Sequence, residues 1–271
     1  MDVERLGKPT LQTRVERWEC DFNDHWNVRF YVRSFQLAAE AIATAPGSVS
    51  AGAGLVPWRH LRFHRELFVN APVEVRSARV ADGLHQGAVV HFLSTDGRLA
   101  ATAMDPSASV DLPWASAHDA ALALPRGLVH LAEAAVGNWT DLVSLGPIRP
   151  AEVDHTGALL WEELVRRLAL SSHGHVASLG FSADFVAREG INRMSAEMRI
   201  DRMSEVSAGT CLWADTRLVS VRSKGFSTEH RICAADGTFV ASIRQNLLTV
   251  DLKTRRAVEV PAFLRKFQPD A

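Results

Sequence analysis

The chain changes between helical and strand-like hydrophobic patterns, and it does so twice. Apolar residues three or four positions apart predict two amphipathic helices. They are Tyr31, Phe35, Ala38 and Ile42 in the first half and Leu160, Leu164 and Leu168 in the second. Pro46-Gly47 predicts the end of the first helix, and the Ser171–Gly174 segment that of the second.

After each helix the hydrophobic period falls to two, which is typical of half-buried strands. The predicted strands cover 58–69, 73–81, 87–95 and 98–111, then 194–200, 211–221, 226–233 and 238–250. Asp-Gly pairs at 96–97 and 236–237 predict tight hairpin turns. One long helix followed by about four antiparallel strands, twice, is an α+β arrangement.

Local matches between the halves predict an internal duplication. Asp96-Gly97 and Asp236-Gly237 lie 140 residues apart, as do Asp111 and Asp251. Upstream, Asp24-His25 matches Asp154-His155 at an offset of 130, whereas pairing Asp21 with Asp154 gives 133. Both alignments stay open. The predicted domains are 1–115 and 147–271, joined by a partly helical linker over 116–146.

Composition narrows the classes of partner. Hydrophobic residues make up 47% of the 271 and charged residues 23%, which is typical of a globular protein. The net charge of −1 gives no general attraction to nucleic acid or to a membrane surface, and we expect neither as a partner. The three cysteines form no CxxC pair, no apolar run is long enough to span a bilayer, and the first residues lack a signal-peptide core. We therefore expect a cytoplasmic protein with no metal site and no cofactor.

The segment Trp18-Glu19-Cys20-Asp21-Phe22-Asn23-Asp24-His25-Trp26-Asn27-Val28-Arg29-Phe30-Tyr31 resembles the active-site signature of hotdog-fold acyl-CoA thioesterases, in the 4-hydroxybenzoyl-CoA thioesterase-like branch. Asp21, His25, Asn27 and Tyr31 match in type and spacing, although Asp24 stands where the family usually has Gly. Asp154 and Gly157 resemble the start of the same motif in the second half. The resemblance implies a double hotdog, in which one chain imitates the family's usual dimer, and a coenzyme A thioester as substrate. It also allows a homodimer of the duplicated chain.

The resemblance implies roles for these residues, each beside a structural alternative. Asp21 is the expected catalytic carboxylate, which deprotonates water or attacks the thioester carbonyl itself; the alternative is a loop or capping acid. His25 either orients the reacting groups or is structural, and Asn27 either bonds the thioester or caps the helix. Tyr31, Arg65 and Trp26 are the expected substrate-binding residues, with core packing as the alternative for the two aromatic side chains.

Further basic residues could receive the phosphates of coenzyme A or form a solvated face. They are Arg59, Arg62, Arg255, Arg256, Arg265 and Lys266.

The predicted function is that of a thioesterase acting on an acyl-CoA or acyl-carrier-protein thioester. One rival is a double-hotdog enoyl-CoA hydratase, since Asp21-Phe22-Asn23 fits that family, although His25 follows four residues after Asp21 rather than five. Another is a non-catalytic acyl-CoA binding module. Without a GxSxG motif or a glycine-rich phosphate loop, the sequence excludes α/β-hydrolase and P-loop interpretations.

Overall fold

The structure is a computed structural model that describes residues 5–21, 24–44, 56–128 and 135–268. Contacts between Cα atoms divide the chain into two compact units. Unit 1 comprises Met1–Pro125 and Leu160–Val165, and unit 2 comprises Arg126–Leu159 and Arg166–Ala271. None of the described helices is both long enough and apolar enough to cross a membrane.

This division differs from the predicted boundaries of 1–115, 116–146 and 147–271. The segment after residue 115 belongs to unit 1 because Ala120 and Ala123 are buried in its core. Unit 2 begins at Arg126, whose N–H, with that of Gly127, donates to the Glu197 carboxylate at 2.8 and 2.6 Å. Of the predicted partly helical linker, only the four-residue helix Ala117–Ala120 is seen, and residues 129–134 lie outside the described part.

Unit 1 packs one long helix, α1 (Val28–Ala43), with an antiparallel sheet. The strands are β1 (Lys8–Arg14), β2 (Trp58–Phe63), β3 (Pro72–Val80), β4 (Ala88–Thr95) and β5 (Arg98–Ser107). Their order across the sheet is β1-β3-β4-β5-β2, and the short β6 (Trp114–Ala115) adds a parallel pair to β3 ahead of α2 (Ala117–Ala120). The predicted helix positions Phe35 and Ala38 are completely buried.

Unit 2 contains most of a second long helix, whose residues up to Val165 are assigned to unit 1, and a sheet with the corresponding strand order, β7-β9-β10-β11-β8. The elements are β7 (Val143–Pro147), α3 (Trp161–Leu179), α4 (Ala183–Glu189), β8 (Ile191–Arg202), β9 (Cys211–Arg222), β10 (Gly225–Ala234), β11 (Phe239–Asp251), β12 (Arg256–Ala257) and α5 (Ala262–Arg265). The short β12 pairs with β11. Both units thus have the α+β organisation that the hydrophobic pattern predicts.

The predicted hairpin turns are confirmed. Asp96 and Gly97 connect β4 to β5 and both have positive φ angles, 46° and 69°, which a two-residue hairpin of type I′ requires. Asp236 and Gly237 connect β10 to β11, where Gly237 has φ 88° and the Asp236 carboxylate accepts the Thr238 N–H at 2.9 Å.

Three predicted element ends are wrong. The strand predicted over 98–111 ends at Ser107, because its partner β4 begins at Ala88, which faces Ser107. The helix α3 continues through Ser171–Gly174 because Ser171 is buried and its hydroxyl bonds Thr216 at 2.6 Å, so this segment is part of the packed face. The helix ends before Gly180, which has φ 129° and allows close approach of Phe263. The strand predicted over 58–69 ends at residue 63, because the next two N–H groups, at 64 and 65, both donate to the Ala100 carbonyl. Pro46-Gly47 lies outside the described residues.

A buried ion pair lies within unit 1. The Arg59 guanidinium donates to both Asp105 oxygens at 2.8 and 2.7 Å, and the His91 ring lies 3.4 Å from the same carboxylate. Burial alone would raise the pKa of Asp105, but the charge and hydrogen bonds of Arg59 hold that pKa well below its ordinary value. In unit 2 a neutral pair, Met198 and Gln245, occupies facing positions on β8 and β11.

We expect Asp105→Ala to destabilise the protein by about 3–5 kcal/mol, because it leaves the buried Arg59 charge without its partner. The double variant Arg59→Met with Asp105→Gln installs the neutral pair of unit 2 and should recover most of that loss. Urea unfolding followed by tryptophan fluorescence measures both. A double variant as unstable as Asp105→Ala would show that the unpaired charge is not the cause.

Candidate active site

Asp21 closes a five-residue loop immediately before α1. Its N–H donates to the His25 carbonyl at 2.7 Å, and its carboxylate accepts the His25 N–H at 3.2 Å. Asp24 adopts φ 59°, in the left-handed region where glycine is favoured, which is how this loop accommodates an Asp in the family's Gly position. Phe22 and Asn23 lie outside the described residues. The loop therefore fixes the Asp21 carboxylate near the beginning of the helix.

Asp154 closes a matching loop in unit 2. Its N–H donates to the Ala158 carbonyl at 2.8 Å, its carboxylate accepts the Ala158 N–H at 3.1 Å, and Gly157 has φ 87°. Asp154 thus corresponds to Asp21, and the offset here is 133 rather than 130. The beginnings of α1 and α3 differ by the same 133 residues.

The hydrogen bonds around Asp154 also set its acidity. Partial burial would raise the pKa of Asp154, but donors from the Thr156 hydroxyl and from the N–H groups of Thr156 and Ala158 outweigh it and lower that pKa. The carboxylate is thereby kept ionised as the closing group of its loop.

Asn27 is the N-cap of α1. Its side-chain oxygen accepts the Arg29 N–H at 3.1 Å, which satisfies one of the unpaired donors at the helix start. Of the two interpretations of Asn27, the structure shows helix capping. The corresponding position before α3 is Leu160, so the second motif lacks this cap.

Trp26 and Tyr31 are buried side chains whose polar atoms have partners inside unit 1. The Trp26 indole N–H donates to Glu19 at 2.8 Å. The Tyr31 hydroxyl accepts the Leu67 N–H at 3.0 Å and donates to the Arg65 carbonyl at 3.3 Å, and burial raises its pKa. These contacts give both aromatic residues a role in the core, while the Arg65 side chain is exposed.

A histidine–carboxylate pair adjoins the Asp21 loop. His25 Nδ1 lies 3.1 Å from Glu66 Oε1, and the His25 ring packs edge-on against Phe68 with centroids 5.1 Å apart. The other ring nitrogen, Nε2, is buried and has no hydrogen-bond partner among the residues that the structure describes. When Glu66 holds a proton on Nδ1, Nε2 is left as a hydrogen-bond acceptor.

Sequence reasoning missed Glu66 because it lies 41 residues from His25 and carries no motif of its own. The two residues meet because Phe68 forms an isolated antiparallel bridge with His25. The only signal in the sequence is the charged Arg65-Glu66 pair between apolar residues, which also fits an exposed strand end.

Two arginines proposed as coenzyme A contacts have internal partners instead. Arg59 is fully buried against Asp105. Arg62 donates to the carbonyls of Ala121, Leu122 and Leu124 at 2.8–3.3 Å and thereby holds the segment after α2. The phosphate-binding interpretation is therefore wrong for Arg59, and for Arg62 it stays a prediction. Within the described ranges, His, Cys, Asp and Glu side chains form no group of three arranged to hold a metal ion.

Comparisons with known proteins support a thioesterase-like chain. Residues 148–268 match the thioesterase-like superfamily. A segment of 114 residues is 31% identical to the L-carnitine dehydrogenase/betainyl-CoA thioesterase of Agrobacterium fabrum. The matched segment makes up 42% of this chain but only 23% of that protein.

Solved structures share the fold over most of the chain. The 12:0-ACP thioesterase of Umbellularia californica aligns with a TM-score of 0.59 at 12% identity. The alignment covers 90% of this chain and 94% of that enzyme. An acyl-ACP thioesterase of Bacteroides thetaiotaomicron aligns with a TM-score of 0.55 at 11% identity. That alignment covers 91% of this chain and 100% of the solved one. Residues 148–268 are therefore similar in sequence to the thioesterase-like superfamily, and the chain shares the fold of these solved thioesterases.

Proposed function

We propose that this protein is a double-hotdog thioesterase that hydrolyses an acyl-CoA or acyl-carrier-protein thioester at the Asp21 loop. The observation that carries the proposal is the closed acid loop before α1 together with the adjoining His25–Glu66 pair. A carboxylate and an oriented imidazole at one helix start are the groups that water attack on a carbonyl needs.

The double-hotdog part of the proposal rests on correspondence between the units. Each has one long helix after an Asp-closed loop, and the five strands follow the same order. A short 3-10 helix precedes each loop, at Arg17–Glu19 and at Pro150–Glu152, again 133 residues apart. These matches favour duplication of one ancestral domain.

In the proposed reaction the Asp21 carboxylate takes a proton from water as the water oxygen bonds to the thioester carbonyl carbon. The carbonyl oxygen gains negative charge, which backbone N–H groups at a helix start are suited to stabilise. The carbon–sulfur bond then breaks, and the proton passes to the departing thiolate. His25, held by Glu66, orients the water through Nε2.

The two loops are not chemically equivalent. Residue 158, which corresponds to His25, is Ala, so the Asp154 loop has no imidazole at that place. We therefore assign the chemistry to Asp21 and a structural role to Asp154.

We expect Asp21→Asn to lower kcat by roughly 10²-fold or more, because Asn keeps an oxygen for the His25 N–H but cannot take the proton from water. The matched variant Asp154→Asn should keep kcat near wild type. Thiol release from short, long, branched and aromatic acyl-CoAs measures both, with thermal unfolding as the check on folding. Equal losses in the two variants, or none in Asp21→Asn, would contradict the assignment.

We expect Glu66→Gln to lower kcat by roughly 10- to 100-fold with little change in KM. This loss is part of the ~10²–10⁴-fold rate enhancement that positioned acid–base groups supply. The reason is that Gln keeps the size of Glu66 but no longer favours a proton on the facing nitrogen of His25. Glu74→Gln is the control, because Glu74 lies on β3 and pairs with Arg76 rather than with His25. A Glu66→Gln protein that loses stability but keeps kcat would reduce Glu66 to a structural residue.

The same assays separate the rival functions. A hydratase would remove the absorbance of crotonyl-CoA without releasing thiol. A binding module, which is favoured by the loop-closing use of both carboxylates, would bind acyl-CoA tightly and leave the thioester intact.

A further inference from the structure

A chain of hydrogen-bonded polar side chains runs through unit 2 between α3 and the sheet. The Ser171 hydroxyl bonds Thr216 at 2.6 Å, Thr216 bonds His230 Nδ1 at 2.8 Å, and His230 Nε2 bonds Thr228 at 3.0 Å. Thr216, Thr228 and His230 are completely buried, and Ser171 is 3% exposed. Such a polar layer under an amphipathic helix is unusual, because this is where apolar side chains normally pack.

His175 extends this layer but has no partner of its own. It follows Ser171 by four residues on α3, so both side chains lie on one face of the helix. His175 is 9% exposed, and both of its ring nitrogens are buried without a hydrogen-bond partner in the described part of the chain. The Thr249 hydroxyl on β11 is also buried and has no hydrogen-bond partner among the described residues. Buried polar groups are almost always satisfied, so these atoms point to a bound group.

The charge state of the layer restricts what can bind. Burial lowers the pKa of His175. Burial lowers the pKa of His230 to about 3, with a smaller lowering effect of His175, and a hydrogen bond to the Gln245 side chain opposes this shift. Both imidazoles are therefore neutral near pH 7, and His175 offers one N–H donor and one acceptor nitrogen.

Unit 1 has the sheet part of this arrangement, since the Ser77 hydroxyl bonds His91 Nδ1 at 2.7 Å, but it lacks the polar residues on the helix. At the offset of 133, Ala38 and Ile42 occupy the α1 positions that correspond to Ser171 and His175. The extension of the polar layer onto the helix, through Ser171 and His175, is consequently a property of unit 2 and is not needed to form a unit of this fold.

We propose that His175 and the Ser171–Thr216–His230 chain form a binding site for an uncharged group that both donates and accepts a hydrogen bond, such as a hydroxyl or a primary amide. An ordered water molecule and a small organic molecule share this chemistry. The site is independent of the thioesterase proposal, because it lies in unit 2 and uses none of the residues around Asp21.

Nitrogen NMR of the full chain labelled with ¹⁵N-histidine tests the site. The His175 ring signals are identified by their loss in His175→Leu and followed during addition of acetamide, propan-2-ol and, as a charged probe, acetate. We expect saturable shifts of His175 with the amide or the alcohol, at least about tenfold weaker binding of acetate, and no such shift in His175→Leu. His173→Leu, which changes an exposed histidine of the same helix, should bind like wild type.

A bound water molecule in the site would be detected by a separate measurement, oxygen-17 relaxation dispersion. If no organic probe shifts His175, a long-lived buried water in oxygen-17 relaxation dispersion that is lost in His175→Leu still supports the site. Absence of probe shifts together with identical relaxation in wild type and His175→Leu would overturn the proposal. So would tighter binding of acetate than of acetamide, since the site would then favour charge.

Discussion

The hydrogen bond from the His25 N–H to the Asp21 carboxylate determines where the candidate acid lies. It closes the loop ahead of α1 and leaves the carboxylate beside the helix start rather than extended into solvent. The same bond joins Ala158 to Asp154 in unit 2. An aspartate at this place is thus explained by folding in both units, and a catalytic role needs a second feature. Unit 1 supplies one in the imidazole of His25, which lies against Glu66, whereas the residue at that place in unit 2 is Ala158.

The two units keep a common backbone and differ in their buried polar groups. His91 in unit 1 bonds Ser77 at 2.7 Å, and His230 in unit 2 bonds Thr216 at 2.8 Å. Around these matching histidines, unit 1 buries the Arg59–Asp105 ion pair. Unit 2 instead keeps a neutral layer, in which the two ring nitrogens of His175 have no hydrogen-bond partner among the described residues. Because desolvated polar groups are costly unless paired, such differences mark where the units have specialised.

Local features were predictable from the sequence, whereas features that depend on distant contacts were not. The helical spacing of Phe35 and Ala38 and the Asp96-Gly97 turn depend on neighbouring residues, and both predictions hold. The Ser171–Gly174 segment predicted the end of α3, but the helix continues through it, because tertiary packing outweighs the weak helix propensity of these residues. Matching pairs at offsets of 130 and 140 left the alignment of the loops open, and only their backbone hydrogen bonds gave 133. Glu66 meets His25 through a bridge between segments 43 residues apart, which no local pattern reveals.

The most direct test of the central claim is a crystal structure with an acyl-CoA analogue in which a methylene group replaces the thioester sulfur, so that the bound ketone cannot be hydrolysed. We expect the ketone carbon to lie one water molecule away from the Asp21 carboxylate, at hydrogen-bonding distances of about 2.6–3.2 Å, with His25 Nε2 facing the same water. A ketone bound beside Asp154, or far from both loops, would contradict it.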